Sequence, residues 1–147
     1  MYKRILVPVD GSDASMRGLR EAIRVTKDQE AALRLVHVVD ELVISGGMGG
    51  AMAYPGDLVE HLRAAGRAVL QAADAQVQEA GLASESVMLE HFGGPAAALI
   101  VDEAQKWKAD LIVMGTHGRR GIRRLVLGSD AEEIIRTTPV PVLLVRA

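Results

Sequence analysis

The sequence contains no cysteine. That excludes disulfides, thiolate catalysis and cysteine-ligated zinc. Aromatic residues are scarce: one Phe, one Trp and two Tyr in 147 residues. The core must therefore be built from Val, Leu, Ile, Ala and Met, which favours helices packed on a buried sheet over an aromatic-rich sandwich. A strong excess of charge of either sign is also missing. The formal net charge is −2, which argues against a general nucleic-acid binder. No apolar stretch approaches the length of a membrane span. The opening MYKRILVPVDGS reaches Asp10 too soon for a signal peptide, and no small-residue cleavage site follows. A cytoplasmic protein that meets neither membrane nor nucleic acid is expected. His37, His61, His91 and His117 show no metal-ligand spacing. There is no Walker lysine, and no GxGxxG follows the first apolar run.

What is present is apolar sequence in blocks, 49% of the chain. Its length suits one domain over residues 1–147 with one core. ILVPV at 5–9 reads as a buried strand, and Pro8, which withholds a ladder donor, marks its end. Asp10, Gly11, Ser12 and Asp13 form a turn with an N-cap at Ser12 or Asp13. A helix follows to about Lys27, with Leu19, Ala22, Ile23 and Thr26 inward. Residues 33–39 are the second strand. Residues 40–56 have no periodicity and read as a mobile loop. A long helix over about 57–80 carries the stripe Leu58, Leu62, Ala65, Val69, Ala72, Ala73 and Val77, and Gly81 is its stop. Residues 86–92 form a third strand of mixed polarity, hence nearer an edge. Pro95 opens a helix at its first position, with Leu99, Ile100, Ala104 and Trp107 inward. Residues 110–114 are the fourth strand. Ser129 caps a short helix to about Arg136, and residues 140–145 are the last strand. This βαβαβαβαβ order implies a doubly wound parallel sheet of five strands with helices on both faces.

In such sheets ligands bind beyond the carboxyl ends of the strands, where strand order reverses. The richest turns follow strands one and four. If those strands are neighbours, the order is 3-2-1-4-5 and the crevice lies between Asp10 and Gly115. If strands one and three are neighbours, the fold is flavodoxin-like. Periodicity leaves both open.

The segment GTHGRRGIRRLVLGS, residues 115–129, concentrates glycine and arginine between two apolar stretches. Gly115 and Gly118 lack side chains, so backbone amides can close on a ligand. Gly128 and Ser129 open a helix whose first N–H groups point outward, a ready anion site. Arg119, Arg120, Arg123 and Arg124 can neutralise a triphosphate. The plainer reading is ordinary turn chemistry, an N-cap at Ser129, and arginines on a solvated face above Ile122, Leu125 and Leu127.

The spacing Gly115-x2-Gly118-x9-Gly128-Ser129 resembles the nucleotide-binding motif of the universal stress protein family, in its ATP-binding branch. MYKRILVPVDGS is similar to that family's first strand and acidic turn, LVHVVDE to its second strand, and LIVMGTHGRRG and TPVPVLLV to its last two. The resemblance covers both ends and the middle of the chain; residues 40–80 are least alike. It implies the adenine nucleotide alpha hydrolase-like sheet, ordered 3-2-1-4-5. It also implies ATP, with Mg²⁺, as ligand. Pro8, Val9 and Asp10 would border the adenosine, with the Asp10 carboxylate near the ribose or a bound metal. Val38 would offer backbone hydrogen bonds to the adenine edge. Met114, Gly115, Gly118, Arg119, Gly128 and Ser129 would line the ribose and phosphates. Family members dimerise through the last strand, so Val140, Val142, Leu144 and Val145 are the expected homodimer edge. Where many relatives have a small apolar residue, this chain has Asp130. An acid there suits the helix macrodipole and opposes a nearby phosphate.

No activated nucleophile, paired carboxylates or catalytic constellation stands out, so the expected function is an ATP-binding regulatory or stress-response module. The alternatives are a slow ATPase or self-phosphorylating enzyme, with Ser129, Thr116 or Ser12 as acceptors, and a dimeric interaction protein without nucleotide. A phosphorylation receiver is disfavoured, because strand three ends without an acceptor aspartate. His37, mid-strand, reads as a satisfied core or interface histidine.

Overall fold

The computed structural model describes residues 1–39, 56–90, 94–116 and 127–146. Strands and helices alternate through them: β1 (Arg4–Pro8), α1 (Asp13–Gln29), β2 (Ala32–Val39), α2 (Gly56–Glu79), β3 (Glu85–Glu90), α3 (Ala96–Trp107), β4 (Leu111–Gly115), α4 (Ser129–Thr137) and β5 (Val142–Val145). All strands pair in parallel, in the order β3-β2-β1-β4-β5. Strand one is thus a neighbour of strand four, and the flavodoxin-like alternative is excluded.

The central strands β1, β2 and β4 are mostly apolar, with Arg4, Arg34 and His37 the exceptions, because both faces of the sheet are covered. Odd-numbered residues of β1 (Ile5, Val7) and β2 (Leu33, Leu35) pack under α1 and α2, with Leu19, Ala22, Leu70, Ala73 and Val77. Leu6, Val36, Ile112 and Met114 point the other way, to Ala97, Ile100, Ala104 and Ile134 of α3 and α4. Full burial of each such Leu or Ile is worth roughly 1.5–3 kcal/mol. β3 lies at one edge and is correspondingly mixed in polarity.

Local chemistry sets the element ends. Ser12 caps α1, its hydroxyl accepting from the Ser15 amide at 3.2 Å. Gly81, at φ +79°, ends α2: its amide donates to the Gln78 carbonyl and the Leu82 amide to the Val77 carbonyl, the pairing that satisfies a helix's last carbonyls. Glu30 and Lys108 take the same left-handed conformation after α1 and α3.

Four sequence expectations shift. Ala65 and Ala72 are exposed; Gly66 and Leu70 carry the buried stripe of α2, because the helix presents a face rotated by about one residue. Pro95 is the N-cap of α3 rather than its first residue. Gly128, not Ser129, is the N-cap of α4. The last strand begins at Val142, since Pro141 lacks the amide that a ladder needs, although its carbonyl still accepts from Ile112 at 2.9 Å.

Candidate functional site

The chain leaves β1 toward β2 on one side and later places β4 on the other. The carboxyl ends of β1 and β4 therefore flank the point where strand order reverses, the position at which open α/β sheets form a ligand crevice. Pro8, the last residue of β1, is half-buried, and Val9 is buried. The Val9 amide donates to the Val36 carbonyl at 2.8 Å. Asp10 then turns the chain into α1. Its Oδ1 accepts from the Ser12 amide at 2.8 Å, and its own amide donates to Ser15 Oγ at 3.3 Å. Gly11 between them sits at φ +81°, a conformation that favours glycine. Asp10 thus builds the first turn while standing at the crevice rim.

Val38 is placed by the sheet's alternation. The Ala32 amide donates to the Lys3 carbonyl, and the Val36 carbonyl accepts from Val9. Even-numbered residues of β2 therefore turn their backbone groups toward β1. Two residues past Val36, Val38 turns its N–H and C=O the same way, at a level where β1 has already ended at Pro8.

On the far side, Met114 is buried among the side chains under α3 and α4, so it supports the crevice wall from within the core. Gly115 is constrained by packing. A Cβ there would lie 2.4 Å from the Ala14 carbonyl oxygen of α1. Sequence reasoning gave this glycine to ligand approach and missed the helix behind it. The available signal was Ala14 and Gly18, two small residues four apart that let α1 settle on the end of β4.

The described residues stop at Thr116 and resume at Leu127. The two ends are joined, because the Gly128 amide donates to the Thr116 carbonyl at 2.8 Å. This bond sets the start of α4 beside the end of β4. The first helical bond of α4 runs from the Glu132 amide to the Gly128 carbonyl at 2.9 Å, so the amides ahead of it point out of the helix end. Ser129 and Asp130 are both exposed there. Pro8, Val9, Asp10, Val38, Gly115, Gly128 and Ser129 thus all lie at strand or helix ends on one side of the sheet. Gly118 and Arg119 lie outside the described residues, as do Asp40, His91, His117, Arg120, Arg123 and Arg124 and the segment 40–55.

The functional reading passed over His37. It is buried, and its Nδ1 lies 2.8 Å from the Val9 carbonyl oxygen. A carbonyl only accepts, so Nδ1 carries the proton. At the β3 edge of the sheet, Arg63 of α2 forks onto Glu90 at the end of β3, at 2.6 and 3.0 Å, and that carboxylate raises the Arg63 pKa. The Arg67 hydrogen bond lowers the Glu60 pKa, with Arg63 adding to it. Among the described residues no three His, Cys, Asp or Glu side chains gather in a way that could hold a metal ion. A groove of about 220 Å³ between α3 and α4 is lined by Ala98, Val101, Asp102, Gln105, Glu133 and Thr137, none of them a residue singled out from the sequence. No helix among the described residues is long and apolar enough to cross a membrane.

Comparison with known proteins adds an independent line. The model of the universal stress protein family matches residues 1–146. Universal stress protein MJ0531 of Methanocaldococcus jannaschii is 38% identical over 147 residues, covering 99% of this chain and 83% of that protein. Among solved structures, hypothetical protein MJ0577 matches with a TM-score of 0.84 at 25% identity, over 100% of this chain and 97% of that one. A universal stress protein from Archaeoglobus fulgidus in complex with dAMP matches at 0.68 and 26% identity, over 97% of each chain. A universal stress protein in complex with cAMP matches at 0.65 and 26%, over 99% and 97%.

Proposed function

We propose that this chain, which belongs to the universal stress protein family, is an ATP-binding regulatory module whose site is the crevice between β1 and β4. The observation that carries this reading is the hydrogen bond from the Gly128 amide to the Thr116 carbonyl. It holds a helix N-terminus beside the strand end at the reversal point, where outward amides and the helix dipole favour an anion. The adenine nucleotides bound by two structural neighbours, dAMP and cAMP, support the same ligand class.

In this reading Pro8, Val9 and Asp10 border the adenosine and the Val38 backbone meets the adenine edge. Met114 backs the wall. Gly115, Gly118, Gly128 and Ser129 surround the ribose and phosphates, with Arg119 offsetting phosphate charge. With no described cluster of metal ligands, Mg²⁺ would be held mainly by the phosphates, with Asp10 the nearest carboxylate on β1's turn. The role is binding: Asp10 Oδ1 serves the Ser12 amide and Ser12 Oγ the Ser15 amide, so both are engaged in building the turn.

Calorimetric titration with ATP, AMP and adenosine tests the proposal. Wild type is expected to bind ATP, and Gly128→Val to bind it at least about ten-fold more weakly. Gly128 sits at φ −57°, ψ 147°, which valine also adopts, so the variant probes side-chain space rather than backbone strain. No heat with millimolar ATP would remove the proposal. A phosphate-release assay on the same preparation decides whether bound ATP turns over slowly.

Assembly as a homodimer through β5 belongs to this proposal. β5 is an edge strand with Leu143 exposed, and an apolar edge calls for cover. The expected interface is Val142, Leu144 and Val145, with Val140 just ahead of the strand.

A further inference from the structure

We infer that His37 is a positioning residue that holds the end of β1 out of the sheet ladder and thereby reserves the Val38 backbone for the ligand base, reading adenine against guanine. The inference rests on the nucleotide proposal for its ligand and on the ladder geometry for its mechanism.

In a parallel ladder, donors and acceptors alternate evenly between two strands. Along the β1–β2 seam the run opens with the Ala32 amide on the Lys3 carbonyl and closes with the Val9 amide on the Val36 carbonyl, both at 2.8 Å. The next bond in register would join the Val38 amide to the Val9 carbonyl. The described hydrogen bonds contain no such pair. The Val9 carbonyl instead accepts from Nδ1 of His37 at 2.8 Å. The imidazole takes the place of the backbone donor, and the chain turns away at Asp10.

The imidazole is held from behind. Gly66 of α2 packs against it so closely that a Cβ would stand 2.7 Å from His37 Cδ2 and 3.2 Å from Nε2, with Met88 Sδ at 3.0 Å. A ring that is 6% exposed and backed by helix has little room to rotate away from Val9.

The consequence is chemical. Val38 presents an N–H and a C=O side by side along the strand toward the crevice. Adenine offers an acceptor at N1 beside a donor amino group at N6, which match. Guanine offers N1–H beside the O6 acceptor, which places donor on donor and acceptor on acceptor. A site that leaves buried polar groups opposed rejects the wrong base.

Three variants test this: His37→Asn, whose amide nitrogen branches from Cγ where Nδ1 does, His37→Phe, which fills the space without a donor, and Gly66→Ala, which pushes the ring. Two readouts are taken on folded protein. The first needs no ligand: hydrogen exchange of the Val38 amide, resolved by NMR. It is expected to slow about ten-fold in His37→Phe and Gly66→Ala, as Val38 closes onto Val9, and to stay at the wild-type rate in His37→Asn. The second is calorimetric affinity for AMP and GMP. His37→Phe and Gly66→Ala are expected to lose about ten-fold in AMP affinity and most of the preference over GMP, the scale of one hydrogen bond. His37→Asn is expected to stay within about two-fold. If His37→Phe fails to fold, Gly66→Ala and His37→Asn decide on the same readouts. Unchanged Val38 exchange in folded His37→Phe or Gly66→Ala would overturn the inference, as would a retained AMP-over-GMP preference. A wild type that binds no adenine nucleotide would remove the proposed function, while the exchange readout would still decide the ladder mechanism.

Discussion

Gly18 of α1 and Gly115 of β4 meet with no side chain between them. A Cβ on Gly18 would stand 2.9 Å from the Gly115 amide nitrogen, and one on Gly115 would stand 2.4 Å from the Ala14 carbonyl oxygen. The start of the first helix therefore rests directly on the end of the fourth strand. The two sides of the candidate crevice are fixed to each other by this contact as well as by strand pairing. An alanine in a helix interior ordinarily gains up to about 1 kcal/mol over glycine. At Gly18 the neighbouring atoms are backbone and cannot swing aside. Gly18→Ala is expected to lower stability by roughly 1–3 kcal/mol, the cost of overpacking, measured by urea denaturation. A stabilised Gly18→Ala would show that the helix can lift without cost.

Asp110 works at the opposite, amino end of the strands. Its carboxylate accepts from the Lys3 amide at 2.7 Å and the Arg4 amide at 2.9 Å, tying the start of β1 to the approach of β4. Asp110→Ala is expected to cost about 1–3 kcal/mol, since both bonds go to an ionised acceptor. Because the change is remote from the crevice, affinity for ATP should stay at the wild-type value. Parallel denaturation and titration check both halves.

Asp130 places a carboxylate in the first turn of α4, close to where the proposal puts phosphate. Asp130→Asn is expected to tighten ATP several-fold while leaving adenosine affinity unchanged, and the gain should shrink with added salt. The helix itself should lose about 0.3–1 kcal/mol from its dipole interaction. Equal effects on ATP and adenosine would place Asp130 away from the phosphates.

The cluster of Glu60 with Arg67 and Arg63 on α2 gives an acid dependence whose sign follows from the shift. The Arg67 hydrogen bond holds the Glu60 pKa below its ordinary value of 4.5. The stabilisation is therefore present above the unfolded pKa and is lost as pH falls through the lower folded value. Lys106 has the opposite sign: its hydrogen bond to Asp102 raises its pKa above 10.5, so that contribution is complete below the unfolded value and is lost as pH rises through the folded one. Glu60→Gln should flatten the acid limb of stability against pH, and Lys106→Gln the alkaline limb.

Leu143, exposed on edge strand β5, is the residue whose change should affect assembly most with least effect on the fold. Leu143→Lys is expected to convert a dimer to a monomer in sedimentation velocity while leaving the melting of the monomer intact. A monomeric wild type at micromolar concentration would remove the β5 dimer.

Much of this was legible from one chain. Alternating apolar runs and helical stripes gave every element, because the periods of strands and helices are local properties. Asp10 to Ser12 announced its turn, and Gly81 its helix stop, by side-chain chemistry within a few residues. The alternation also implied a parallel sheet, and the glycine-serine spacing pointed to the family. Tertiary structure decided the rest, since it depends on which distant segments meet. It set β1 beside β4 where periodicity alone allowed two orders. It showed that Gly115 is glycine because α1 lies against it, and that the buried face of α2 runs through Gly66 and Leu70. It brought the His37 ring to the Val9 carbonyl, a contact across 28 positions to a backbone atom. A pattern of residue types does not encode such a contact, because every residue has the same carbonyl and only the packed fold selects which one the ring reaches.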